Sequence, residues 1–162
     1  MSVPSVNAPG LDLPRIAAEA VRDGVEKLVV GAVVHDGGKV LILRRSPHDA
    51  FLPGIEELPS GGVDDGEDLA GALARELAEE IGWRGPLELD AGFVASFDYL
   101  SGSRRRARQY TFGLPRGAHV VTLSDEHVGS RWLEPAELDG SGVTPETAAV
   151  VRAWAASRTS LP

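Results

Sequence analysis

Cysteine is absent from these 162 residues. That excludes a disulfide framework, a thiolate metal site and a cysteine nucleophile. Positive charge is in deficit: 24 acidic residues face 16 basic ones, a net charge of −8. Such a surface argues against broad binding to nucleic acid or to an anionic membrane. Lysine is scarce while Ala, Gly, Arg and Asp are abundant, a bias that points to a GC-rich bacterial genome. No apolar run approaches the roughly 20 residues that span a bilayer. The N-terminus lacks the charged start and apolar centre of a signal peptide. The cytoplasm is therefore the expected location. The length suits one domain with a proper core.

Within these bounds the chain alternates strand and helix signals. Residues 1–25 read as a loose tail with Pro4, Pro9 and Gly10, followed by a short helix over 14–23 with Pro14 in its first turn. The apolar runs 28–35 and 39–45 flank Asp36-Gly37-Gly38, a hairpin signal. A loop over 46–60 follows. Strands are expected over 88–100, 107–115 and 119–123, with a short one around Trp132 and a helical turn at 135–138. Thr144 and Pro145 open a last helix running through Ser157. This order fits an α/β fold, a mixed β-sheet between helices.

The residues between 61 and 83 carry the chemistry. They read GGVDDGEDLAGALARELAEEIGW. A helix is expected over about 66–81, with Asp65 as its N-cap and Gly82 ending it. Leu69, Leu73 and Leu77 recur every four residues and can face a core. Glu76, Glu79 and Glu80 then fall at i, i+3 and i+4, on one helical face. Like charges at that spacing weaken a helix by about 0.2–0.5 kcal/mol per pair. A hard divalent cation, Mg²⁺ or Mn²⁺, would offset this repulsion, because such ions take oxygen ligands. Gly61 lacks a Cβ and lets backbone approach a ligand or metal closely.

The spacing Gly61-x5-Glu67-x7-Arg75-Glu76-Leu77-x-Glu79-Glu80-x-Gly82-Trp83 resembles the Nudix box at every fixed position. Trp83 stands where the family favours an aliphatic residue, and Ser60 replaces the first glycine of the frequent Pro-Gly-Gly. Neither change removes a ligand. The resemblance implies a Nudix α/β/α sandwich over residues 26–158. It implies a metal-dependent pyrophosphohydrolase that directs water onto a phosphorus of a nucleoside diphosphate-linked substrate. Metal ligands would come from Glu76, Glu79, Glu80 and the Gly61 carbonyl. Glu67 and Gly82 would shape the box, and Arg75 would orient a box carboxylate. The general base would be Glu126, in the loop before the Trp132 strand, with Asp125 or Glu76 as alternatives.

Substrate contacts are less narrowly defined. Arg44 or Arg45 could clamp a phosphate, and strand alternation turns at most one of them inward. Phe51, Phe97 or Tyr99 could stack on a base or simply pack in the core. Arg104, Arg105, Arg106 and Arg108 crowd a turn, where they read as solvated charge, a phosphate contact or a subunit contact. His35, His48, His119 and His127 lack metal-ligand spacing.

By resemblance, a (d)NTP or an oxidised nucleotide is the first substrate class. ADP-ribose, nucleotide sugars and dinucleoside polyphosphates are alternatives, and a non-catalytic nucleotide-binding module is a further one. ADP-ribose hydrolases of the family carry a proline where this chain has Tyr99, whereas a tyrosine near that place occurs in dinucleoside polyphosphate hydrolases. The coenzyme A pattern upstream of the box is not met. Isomerases of this fold use a cysteine that the chain lacks, and the acidic charge disfavours messenger RNA decapping. The expected partners are a nucleotide-type small molecule and, as in many family members, a second copy in a homodimer. No stable nucleic acid or membrane partner is expected.

Overall fold

A computed structural model of the chain describes residues 4–49 and 53–159. Phe51 lies outside the described residues. Two long neighbouring strands organise the molecule, β2 (Lys27–Asp36) and β8 (Arg106–Pro115), which run parallel from Lys27↔Ala107 to His35↔Pro115. Strand β7 (Val94–Leu100) pairs antiparallel with β8. On the other side of β2 the sheet splits. Strand β3 (Lys39–Arg45) leaves β2 after the hairpin and pairs with β9 (His127–Leu133) and with β4 (Glu56–Glu57). Strand β5 (Ser60–Gly62) takes the vacated place beside β2. The hairpin forms because Gly37 and Gly38 both adopt positive φ, 57° and 83°, as its tight turn requires.

Period-two patterning sorts the core into two layers. Val30, Ala32, Val34, Leu41 and Leu43 share one apolar cluster with Leu69, Leu73, Leu77 and Ile81 of helix α2 (Leu69–Ile81). Val33, Val40 and Ile42 face the opposite cluster with Val150, Val151 and Trp154 of α3 (Pro145–Thr159). The result is a mixed sheet between helices, an α/β/α sandwich. Among the described residues no helix is long and apolar enough to cross a membrane.

Four local expectations change. The box helix starts at Leu69, with Asp68 rather than Asp65 as N-cap: Asp68 Oδ1 accepts from Gly71 N at 2.7 Å. Gly66, at φ 79°, holds the preceding turn in the left-handed region, so the helix cannot begin there. Residues 119–123 form no strand. Thr122 N and Ser124 N instead donate to the carbonyls of Ile81 and Glu80, satisfying the end of α2. The strand expected over 88–100 is two pieces, β6 (Leu87–Glu88) and β7. The N-terminal segment is not wholly loose either. Strand β1 (Val6–Asn7) pairs with β6. Helix α1 (Leu13–Arg22) packs on its own domain, burying Ala20 in the α2 layer.

Candidate active site

The Gly61-Gly62 strand β5 and helix α2 meet at a carboxylate cluster. A Cβ on Gly61 would occupy the place of the Glu76 carboxyl, so glycine there lets Glu76 lie against the backbone. Arg75 ties the cluster together. Its Nε and Nη2 donate to the two Glu67 carboxylate oxygens at 2.8 and 2.9 Å, and Nη2 also donates to the Gly62 carbonyl at 2.7 Å. Its Nη1 donates to Glu76 Oε1 at 2.8 Å and to Glu79 Oε2 at 3.4 Å. These fixed, charge-assisted bonds hold the glycine turn against the helix. Gly82 closes the helix in the left-handed conformation expected of it (φ 73°).

Glu80 is the buried member, only 4% exposed. Burial, then the charges of Glu57 and Glu76, push its carboxyl up to about 9, although Ser60 N donates to Glu80 Oε2 at 3.3 Å. Glu76 is raised in the same direction by burial, against the pull of Arg75 and with the push of Glu79 and Glu126. Glu79 is exposed. Glu126 is also exposed on its loop, yet it is electrostatically felt at both Glu76 and Glu80, whereas Asp125 is not among the influences on either.

Glu57 was not singled out from the sequence. It lies on β4, two residues before Pro59, and nothing in its local pattern distinguishes it from Glu56. Folding brings its charge close enough to act on Glu80, with His127 Nε2 2.8 Å and Arg45 Nε 3.0 Å from its Oε2. His127 is thereby assigned a place, supporting Glu57 from the buried end of β9.

Among the described residues no three acidic or imidazole groups stand as a ready-made metal shell. Arg75 draws Glu76 and Glu79 to itself, and the carboxylates repel one another. The donor set nevertheless fits a hard cation. It is all oxygen, and the Glu80 carboxyl is held protonated at neutral pH by burial and neighbouring charge that a cation would relieve.

A cleft of about 460 Å³ opens beside Gly61 and Gly62. Arg45, Glu57, Phe97, Tyr99 and Gln109 line it, and the start of α3 closes one side through Thr144 and Thr147. The Phe97 and Tyr99 rings lie 5.8 Å apart, tilted by 37°. Arg45 thus borders the cleft, but it is already paired with Asp49 at 2.9 Å and with Glu57. Arg44 points to the other side of the sheet, into a separate groove with Arg131. The arginines of the 104–108 turn lie apart from the cleft. Arg108 pairs with Asp98 and Asp23, and Arg105 donates to the Glu26 carbonyl.

A protein-family model described as NUDIX domain matches residues 25–154. An uncharacterized Nudix hydrolase, YfcD, of Shigella flexneri is 31% identical over 126 residues, covering 75% of this chain and 68% of that protein. A CTP pyrophosphohydrolase of Escherichia coli is 28% identical over 134 residues, covering 83% of this chain and 95% of that one. Among solved structures, the MutT protein from Methanosarcina mazei superposes with a TM-score of 0.69 at 21% identity, over 83% of this chain and 96% of that chain, a likeness of fold. The family match spans most of the sequence and contains the whole carboxylate cluster, so the chain belongs to the Nudix hydrolase family.

Proposed function

We propose that this protein is a metal-dependent pyrophosphohydrolase acting on a nucleoside diphosphate-linked substrate, with a (d)NTP or an oxidised nucleotide as the first class. The observation that carries this reading is the junction of the Glu80–Glu76–Glu57 cluster, with Glu80 buried, and a cleft bearing Phe97 and Tyr99. The likeness to a CTP pyrophosphohydrolase over nearly its whole length supports a nucleoside triphosphate.

Glu76, Glu79, Glu80 and the Gly61 carbonyl would hold Mg²⁺ or Mn²⁺. Bound there, the ion would neutralise phosphate charge and lower the pKa of water. The residues do the rest. Arg75 positions Glu76 by tying it to Glu67 and the Gly62 carbonyl. The Glu126 carboxylate, exposed and close enough to sense the cluster, accepts the proton of the attacking water. The new P–O bond forms as the bridging P–O bond breaks, and for a nucleoside triphosphate the bridging oxygen keeps the electron pair, so that the products are a nucleoside monophosphate and pyrophosphate. Phe97 and Tyr99 give the base an aromatic surface.

The test is turnover on a panel of (d)NTPs, 8-oxo-dGTP, ADP-ribose, nucleotide sugars and dinucleoside polyphosphates with Mg²⁺ or Mn²⁺. Hydrolysis of a (d)NTP class with release of pyrophosphate is the expected result. Preference for one of the other groups would replace the substrate assignment. Nucleotide binding without turnover under either metal would overturn the enzymatic reading.

A further inference from the structure

The cleft that should receive a polyanion is itself acidic. Glu56, Glu57 and Glu146 line it, against two cations, Arg45 and Lys27. Arg45 is held by Asp49 and Glu57. The side chain of Lys27, half-buried at the start of β2, has no ion pair or hydrogen bond among the described residues. Its stem is half-buried while its ammonium remains accessible at the cleft, available to an anionic ligand.

The sheet register fixes where that ammonium sits. Lys27 pairs with Ala107, and Ala107 pairs with Tyr99, so these three share one cross-strand row and one face. The next row on that face is Val29, Gln109 and Phe97, and Val29 also pairs with Gly62. Ala107, buried between them, is the small residue of the row and sets Lys27 and Tyr99 two strand spacings apart, roughly 9–10 Å, both at the cleft. The Lys27 side chain runs beside Gly62: its Cε stands 3.7 Å from where a Gly62 Cβ would be. Its charge is therefore directed toward the glycine turn of the box, at the end of the row opposite the aromatic ring.

We propose that Lys27 is the phosphate-binding cation of this cleft, donating to non-bridging oxygens of a phosphate chain whose base rests against Tyr99 and Phe97. This rests on the pyrophosphohydrolase reading for its substrate, but it can be judged apart from turnover. It assigns Lys27 a binding role, with no part in proton transfer.

The experiment compares Lys27→Met, Lys27→Arg and Lys39→Met with the wild type. Lys39 lies exposed at the hairpin and serves as the control for lost charge. Two readouts are taken: KM and kcat on the best nucleotide of the panel, and calorimetric binding of ADP with Mg²⁺. The Lys27→Met variant should raise KM and weaken ADP binding by about tenfold or more, the scale of one hydrogen bond to a charged group. Its kcat should stay within about twofold. Lys27→Arg should restore most of the affinity, and Lys39→Met should match the wild type. Equal losses in Lys39→Met, unchanged ADP affinity in Lys27→Met, or a wild type that does not bind ADP would each overturn the proposal. Absence of turnover with ADP binding still dependent on Lys27 would uphold it while removing the pyrophosphohydrolase reading.

Discussion

At the scale of single residues, Gly61 and Glu80 make opposite demands on their surroundings. Gly61 leaves its Cβ space to the Glu76 carboxyl, which any side chain there would push aside. Gly61→Ala should therefore displace Glu76 and lower kcat by about 100-fold or more, the scale of losing a placed catalytic contact, while circular dichroism stays that of the wild type. Glu80 is an acid held where acids are expensive. Glu80→Gln keeps its size and its contact with Ser60 N and replaces a carboxyl already held neutral, so the metal-free variant should melt no lower than the wild type. A melting temperature several degrees lower would mean that the Glu80 carboxyl stabilises the fold. Glu76, Glu79 and Glu80 could be grouped from spacing alone, because helical periodicity converts sequence intervals into a shared face, whereas Arg75 was implied by the resemblance to the Nudix box. Glu57 and Lys27 were legible in neither way. Their relevance comes from partners distant in sequence, Ala107 beside Lys27 and His127 beside Glu57, and no local pattern encodes that.

At the scale of elements, helix α3 is anchored to the sheet by a polar knot inside an apolar layer. Asp90 Oδ2 lies 2.8 Å from His35 Nε2 and accepts from Trp154 Nε1 at 3.1 Å, with the Arg158 guanidinium 3.6 Å from Oδ1. Burial opposes ionisation of Asp90, but these donors together hold its carboxyl below the usual range. The sign follows from linkage. A folded-state pKa below the unfolded one stabilises the protein above about pH 4 and is lost as pH falls through the depressed value. Asp90→Asn should cost about 1–3 kcal/mol at pH 7, measured by urea unfolding, and the gap should narrow below about pH 4. A gap that widens in acid would contradict this account. The same elements show where sequence reading succeeded. The hairpin at Asp36–Lys39, the box helix and the α3 start at Thr144 each carry a local signal, namely paired glycines, a leucine repeat, and a capping threonine whose Oγ1 accepts from Thr147 N. It failed at 119–123, where an apolar stretch resembled a strand but its amides close the end of α2. Propensity cannot tell which carbonyls a segment will meet.

At the scale of the whole molecule, the sheet splits after the hairpin, and the split makes the site. Strand β3 moves off with β4 and β9, strand β5 fills in beside β2, and the cleft opens along that seam. Helix α1 covers the α2 layer on the other side, with the Tyr110 hydroxyl donating to the Ile16 carbonyl at 3.3 Å. Removing residues 1–24 should therefore lower the melting temperature, by about 2–4 °C for each kcal/mol of packing lost, rather than change the oligomeric state. A shift in oligomeric state at unchanged melting temperature would give α1 an assembly role instead. The central claim is that one carboxylate cluster, gathered at this seam, drives hydrolysis of a nucleotide pyrophosphate. Its most direct test is turnover of the preferred nucleotide by wild type and Glu80→Gln at saturating Mg²⁺, with thermal melting measured on the same samples. The account predicts a folded variant whose kcat has fallen by about 100-fold or more. A folded Glu80→Gln protein with wild-type turnover would contradict it.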